Sequence, residues 1–234
     1  MSAITCYRCS SWPCECADGC AIVCGDCREV LPKLPHADAV LTDPPYGVSL
    51  GKRANNQRFD RKRYASFDDT PEAAKQLALD VFPLLNAERI AMTPGVKNMW
   101  AWPQPTHVGS FFSPSSSGCN SWGFSCWQPI FFYGKDPYGG TGSRPDSFMS
   151  VKAAEKLNHP CVKPLSQWLW LLNRCTLDSE LVADPFLGSG TTLVAAKRLG
   201  RRAIGIEIEE KYCEIAANRL ASEPMPMFAE AATA

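Results

Sequence analysis

The stretch from Leu181 to Glu207 constrains the fold more than any other part of the chain. An apolar run, Leu181-Val182-Ala183, ends in Asp184, and the chain turns through Gly188 and Gly190 before residues 191–199 take up helical spacing. Lys197 and Arg198 suit the negative end of that helix, Gly200 caps it, and Arg202 to Ile206 reads as a second strand ending at Glu207. Strand, glycine turn, helix and strand make a βαβ unit, which requires a parallel sheet covered by helices. The glycines let a ligand lie against backbone, and Glu207 follows Asp184 by 23 positions, a spacing suited to ribose hydroxyls. The nicotinamide fingerprint would place another glycine at 193, where Leu193 stands, so a dinucleotide is disfavoured.

The front of the chain repeats the rhythm. Ala21 to Cys24 reads as a short buried strand leading to Gly25-Asp26-Cys27, Arg28 to Leu34 as a short helix, and Ala37 to Thr42 as the next strand. Pro71 to Leu85 is amphipathic, with Leu77, Val81, Leu84 and Leu85 on one face. Arg89 to Met92 and Trp127 to Tyr133 read as further strands. Between them, Trp100 to Gly123 is rich in Pro, Ser, Gly and Trp and reads as a long irregular binding segment. Its tryptophans, Trp100, Trp102 and Trp122, are suited either to stacking on bases or to the core. Gly134 to Lys152 reads as a polar connection and Pro164 to Cys175 as a helix.

Open α/β sheets place ligands at the carboxyl ends of their strands, and Thr42-Asp43-Pro44-Pro45-Tyr46-Gly47 stands at such an end. The paired prolines fix φ and remove two backbone donors, leaving a carboxylate, a carbonyl and an aromatic ring in a set relation. Such a corner can grip a flat ring that bears an amine; on its own it would be an ordinary Pro-Pro turn. Within residues 52–63 that follow, six are cationic, Lys52, Arg53, Arg58, Arg61, Lys62 and Arg63, and one is acidic. That loop is either solvated surface or, given its place beside the corner, a contact for phosphates.

Formal net charge is zero, so affinity for nucleic acid must come from such a local patch. No apolar run reaches the roughly 18 residues of a membrane span and no signal-peptide pattern opens the chain, which predicts a cytoplasmic protein without a membrane partner. Seven of the 12 cysteines precede residue 28. Cys6, Cys9, Cys14 and Cys16 are spaced to give four thiolates to one structural zinc ion, or else form a run of reduced thiols in a mobile arm. The expected organisation is a cysteine-rich arm over 1–20, one domain over 21–221 with a basic loop at 51–64 and a recognition region at 100–157, and a disordered tail over 222–234.

Asp43-Pro44-Pro45-Tyr46 resembles the catalytic motif of DNA amino-methyltransferases, and Asp184-Pro185-Phe186-x-Gly188-x-Gly190-Thr191-Thr192 resembles their S-adenosylmethionine motif. The catalytic motif comes first, with Asn158-His159-Pro160-x-x-Lys163-Pro164 between the two, an order similar to the beta class. The resemblance covers about Ile22 to Leu220. It implies an α/β fold, a circularly permuted Rossmann-like methyltransferase sheet with helices on both faces, acting on double-stranded DNA as monomer or homodimer. By resemblance Asp43, Pro44, Pro45 and Tyr46 are catalytic. Asp26 with neighbouring Cys27 meets the cofactor's adenine, Glu207 its ribose, and Asp184, Pro185, Phe186 and Gly188-Ser189-Gly190-Thr191-Thr192 its methionine part. His159, Lys163 and Pro164 lie near its carboxylate. An acidic first position in the catalytic motif resembles the adenine-N6 enzymes, whereas cytosine-N4 enzymes more often carry Ser there. A protein that keeps the pocket without turnover is the reading from another class. Gly134 to Leu157 offers little material for target recognition, which predicts a short or permissive target sequence.

Overall fold

A computed structural model describes residues 4–48, 69–114, 119–139, 141, 143–150 and 162–224. The basic stretch with Lys52, Arg53, Arg58, Arg61, Lys62 and Arg63, the segment carrying His159, and the tail from 225 onward lie outside the described residues.

In chain order the elements are β1 (Cys20–Cys24), α1 (Cys27–Val30), β2 (Ala37–Thr42), α2 (Pro71–Val81), β3 (Ala87–Met92), β4 (His107–Phe112), β5 (Cys119–Asn120), β6 (Gly123–Phe124) and β7 (Trp127–Tyr133). They continue with β8 (Ser147–Met149), α3 (Leu165–Cys175), β9 (Leu181–Asp184), α4 (Thr191–Arg198), β10 (Arg202–Glu207) and α5 (Glu210–Ser222). Among the described residues, eight strands form one sheet in the order β1-β10-β9-β2-β3-β7-β4-β8, and β5 pairs with β6 as a separate hairpin. The first five are mutually parallel; β7 runs antiparallel to β3 and to β4. From β9 the chain crosses through α4 to β10 on one side, and from β2 through α2 to β3 on the other. The strand order therefore reverses between β9 and β2, which opens a crevice at their carboxyl ends.

Alternation along the strands feeds two apolar layers. Cys20 and Ile22 of β1 join Leu41, Trp168, Leu171, Leu172, Leu193 and Leu220 on the face covered by α3, α4 and α5. Ala21 and Val23 join Val30, Leu77, Val81 and Ile206 on the opposite face, where α1, α2 and the amino-terminal arm pack. Pro71 opens α2, and the hydroxyl of Thr70 accepts from the amide of Ala73 at 3.2 Å to cap it.

Two segments are more ordered than their composition predicts. Residues 107–112 form β4 inside the stretch expected to be irregular, and Ser147–Met149 form β8 inside the expected polar connection. Backbone pairing with β7 and β4 supplies what the sequence pattern does not advertise. Trp102 is 6% exposed and belongs to the core, whereas Trp100 and Trp122 are 84% and 99% exposed.

Candidate active site

The end of β2 brings Asp43 to the mouth of the crevice. One carboxylate oxygen accepts from the hydroxyls of Tyr46 and Thr93, and the other forms an ion pair with Lys163 Nζ at 2.7 Å. Lys163 also donates to the Tyr46 hydroxyl at 2.5 Å and lies 4.6 Å from the centre of its ring, and Gln128 Nε2 of β7 donates to the same hydroxyl. The corner is thus braced by β3 through Thr93, by β7 through Gln128, and by the lead into α3 through Lys163. Gly95 has φ +71°, and a Cβ there would lie 2.7 Å from the Tyr46 ring, so glycine is what lets the ring pack on that turn. Of the four or so acceptor sites of a carboxylate, these donors occupy three.

At the end of β9, across the crevice, Asp184 is buried. Its oxygens accept from Thr42 Oγ1 at 2.7 Å, the Phe186 amide at 3.0 Å and Thr192 Oγ1 at 2.5 Å, and Trp168 Nε1 donates in turn to Thr192 Oγ1 at 2.5 Å. The Thr42 bond ties the residue before the Asp43-Pro44-Pro45-Tyr46 corner directly to the glycine-loop strand. Burial pushes the Asp184 carboxyl up to about 6; the hydroxyl and amide donors oppose that rise and the negative charge of Asp43 adds to it.

The glycine loop is held from both sides. Glu207 at the end of β10 accepts from the amides of Gly188 at 2.8 Å and Glu209 at 2.9 Å, and burial pushes its carboxyl up to about 7. Arg219 of α5 donates to the Ser189 carbonyl at 2.7 Å and to Thr191 Oγ1 at 3.1 Å. Gly188 and Gly190 have φ of +55° and +83°. At Gly190 a Cβ would meet Ala216 Cβ at 2.8 Å, so this glycine is also required for α5 to approach the loop. Pro185 is buried, and Leu187 packs over Gly205 of β10, where a Cβ would lie 2.6 Å from its side chain.

Asp26 stands at the end of β1, next to β10, as the permuted order predicts. Both of its oxygens are engaged by Arg28, at 3.0 and 2.5 Å, which holds the carboxyl below its usual range. Together Asp184, Glu207 and Asp26 put carboxylates at the ends of three consecutive strands. That row of acceptors fits an elongated ligand bearing hydroxyl and amino groups.

The other expected residues fall as follows. Cys27 is 7% exposed and belongs to the apolar cluster around Val30 and Leu31. Lys163, expected beside the cofactor carboxylate, reaches Asp43 and Tyr46 at the mouth of the crevice. Lys197 stands in the last turn of α4, as expected, and its buried side chain donates to the Leu220 carbonyl at 2.7 Å. Sequence reasoning missed Thr93, Gln128, Trp168 and Arg219, which come from four separate elements and carry no local signature. The four amino-terminal cysteines, Cys6, Cys9, Cys14 and Cys16, do come together, with their sulfurs all within 4.8 Å of one another.

Comparison with known proteins agrees with this geometry. The family model described as DNA methylase matches residues 91–218. The Type II methyltransferase M.ScaI of Streptomyces caespitosus is 38% identical over 76 residues, 32% of this chain and 25% of that enzyme, so the chain matches about a quarter of its length. YubD of Escherichia coli strain K12 is 28% identical over 220 residues, 85% of this chain and 88% of that one. Among solved structures, an M1.HpyAVI–SAM complex superposes with a TM-score of 0.62 at 21% identity, over 86% of this chain and 98% of that one. The PvuII methyltransferase, titled cytosine-N4-specific, superposes with a TM-score of 0.63 at 16% identity, over 86% of each chain.

Proposed function

The chain belongs to the DNA methylase family, and from that premise we propose that it transfers a methyl group from S-adenosylmethionine to the exocyclic N6 amine of adenine in double-stranded DNA. The observation that carries this reading is the 2.7 Å bond from Thr42 to Asp184, which sets the Asp43-Pro44-Pro45-Tyr46 corner directly against the glycine-loop strand. A group gripped by the corner and a ligand lying along the loop would therefore face each other across one strand spacing.

An exocyclic amine shares its lone pair with the ring and is a poor nucleophile. The remaining acceptor site on Asp43 and the carbonyl of Pro44 would take its two N–H bonds, turning the nitrogen toward tetrahedral geometry with its lone pair free. Lys163, Thr93 and Tyr46 fix the orientation of Asp43 before any substrate arrives, so little reorganisation is needed at reaction. S-adenosylmethionine supplies a sulfonium methyl: the N–C bond forms as the S–C bond breaks, and its sulfur leaves as a neutral thioether. The methylated nitrogen is then acidic, and Asp43 or water takes its proton. The Tyr46 ring would stack on the base, which must leave the duplex at a cost of a few kcal/mol. Asp184, Glu207, Asp26 and the Gly188–Gly190 turn would hold the cofactor.

Adenine is preferred because the corner begins with an acid. Cytosine-N4 is the second reading, favoured by the superposition on the PvuII enzyme. Incubation of the protein with labelled S-adenosylmethionine and duplex DNA, followed by nucleoside mass spectrometry, tests both. N6-methyladenine is expected from the wild type and background label from Asp43→Ala. N4-methylcytosine would overturn the adenine assignment, and equal label from both proteins would overturn the enzymatic one.

A further inference from the structure

We propose that Cys6, Cys9, Cys14 and Cys16 bind one zinc ion, and that the ion locks the amino-terminal arm against the edge of the sheet. In a tetrahedral zinc tetrathiolate with Zn–S near 2.3 Å, the sulfurs stand about 3.8 Å apart. Here Cys14 Sγ lies 3.4 Å from Cys6 Sγ and 3.8 Å from Cys9 Sγ, and all four sulfurs fall within 4.8 Å of one another. The donor set is therefore already gathered, and a small inward or outward adjustment completes it. Two facts separate this from a chance cluster of thiols.

The first is the backbone. Cys6 to Ser10 makes a tight knuckle in which the Ser10 amide donates to the Cys6 carbonyl at 2.8 Å and Ser10 adopts φ +59°. The Cys6 amide donates to the Ser11 carbonyl at 3.1 Å, closing the turn from the other direction. A non-glycine residue held in the left-handed region is uncommon, and here it closes the turn that carries the Cys6–Cys9 pair.

The second is the clamp at the base of the loop. Arg8 pairs with Asp18 through two bonds of 2.7 and 2.8 Å and donates to the Cys20 carbonyl at 2.7 Å, while Asp18 accepts from the Cys20 amide at 3.1 Å. The Asp18 side chain is 4% exposed and also lies 3.5 Å from Lys197 Nζ. This charged anchor ties both ends of the cysteine loop to β1 without using a thiol. The thiols meet one another and nearby backbone, with the Cys16 amide donating to Cys14 Sγ at 3.4 Å, and S–H groups are weak donors and acceptors. A dication would satisfy all four at once. Binding releases their protons and leaves a zinc tetrathiolate, with no change in oxidation state.

The mechanical consequence is local. The Tyr7 amide donates to the Ile22 carbonyl at 2.7 Å, so the arm runs beside β1, and Ile4, Thr5 and Tyr7 line a shallow pocket with Val23, Gly25 and Asp26. An ion joining Cys6 and Cys9 to Cys14 and Cys16 would fasten that strip to the loop that leads into β1.

Metal analysis of the purified full-length chain should find about one zinc per chain. Cys9→Ser should lose it, whereas Cys24→Ser, an exposed thiol outside the cluster, should keep it. Because Cys9→Ser could fail to fold, cobalt(II) should also be added to chelator-stripped wild type; the intense visible bands of a tetrahedral thiolate complex are expected at one equivalent. Hydrogen exchange at the Tyr7 amide should speed at least about tenfold on chelation while amides of β9 stay unchanged, as expected of local rather than global opening. A chain purified under reducing conditions without metal that gives no tetrahedral cobalt spectrum would overturn the site. Iron in place of zinc would overturn the assignment of the ion, and unchanged protection of Tyr7 would overturn the locking role.

Discussion

Replacing Asp184 by Asn isolates the electrostatic cost of the crevice. Burial raises the Asp184 carboxyl from 3.8 to about 6. In the pH window between those values the folded chain holds a proton that the unfolded chain has released, so stability falls as pH rises through it. About two pH units at roughly 1.4 kcal/mol each gives a loss of about 3 kcal/mol from this one group between pH 4 and pH 7. Asn does not titrate. Its amide also suits the pocket less well, because Thr192 already accepts from Trp168 and gives its own proton to Asp184. That mismatch costs a pH-independent amount of about 1–3 kcal/mol. The informative quantity is therefore the difference between variant and wild type, in which the contributions of other carboxylates such as Asp18 cancel. Urea unfolding of both proteins at several pH values, without cofactor, should show the variant gaining on the wild type by about 3 kcal/mol from pH 4 to pH 7 and then levelling. A difference that stays flat, or falls with pH, would refute burial as the dominant influence on Asp184.

Two further substitutions probe separate parts of the site. Gly190→Ala places a methyl group 2.8 Å from Ala216 Cβ at φ +83° and should destabilise the fold by about 2–4 kcal/mol in the same unfolding assay; a loss under about 0.5 kcal/mol would mean that α5 yields freely. Tyr46→Phe keeps the ring and removes the hydroxyl that meets Asp43, Gln128 and Lys163, so it should lower kcat about tenfold or more while leaving KM for DNA nearly unchanged. Full activity in Tyr46→Phe beside a raised KM in Tyr46→Ala would show that stacking is all the residue contributes.

What could be read from the sequence followed from local rules. The strand and glycine turn at 181–190, the helix after it and the Pro-Pro corner each announce themselves within a dozen residues, because chain direction there is fixed by proline, glycine and apolar period. Strand β4 was hidden because its sequence, HVGSFF, has no clean alternation and gains its order from β7 and β8 on either side. Lys163 was legible as a motif residue but not as a partner of Asp43, 120 positions earlier, since its reach depends on where α3 begins over the sheet. Cys27 is legible as a motif neighbour but not as a core residue: it opens α1 directly after the Asp26 cap, and its thiol joins the apolar cluster around Val30.

The order of the motifs matters less than the strands they end. Asp43 and Asp184 are 141 positions apart, yet Ala39 pairs with Val182 and Val40 with Ala183 in adjacent parallel strands, so both acids arrive on the same edge of the sheet. Any connectivity that kept β9 beside β2, with crossovers leaving in opposite directions, would build the same crevice. The charges then divide the labour. Asp43 is paired with Lys163 and two hydroxyls, a setting that orients an acceptor; Asp184 and Glu207 are held by hydroxyl and amide donors alone among the described residues, and burial pushes both up. Buried carboxylates without a cationic partner are costly, and a ligand that brings a positive charge or hydroxyl donors relieves that cost on binding. The same feature that weakens the free protein above pH 6 would therefore favour a cationic, ribose-bearing ligand lying along the loop glycines.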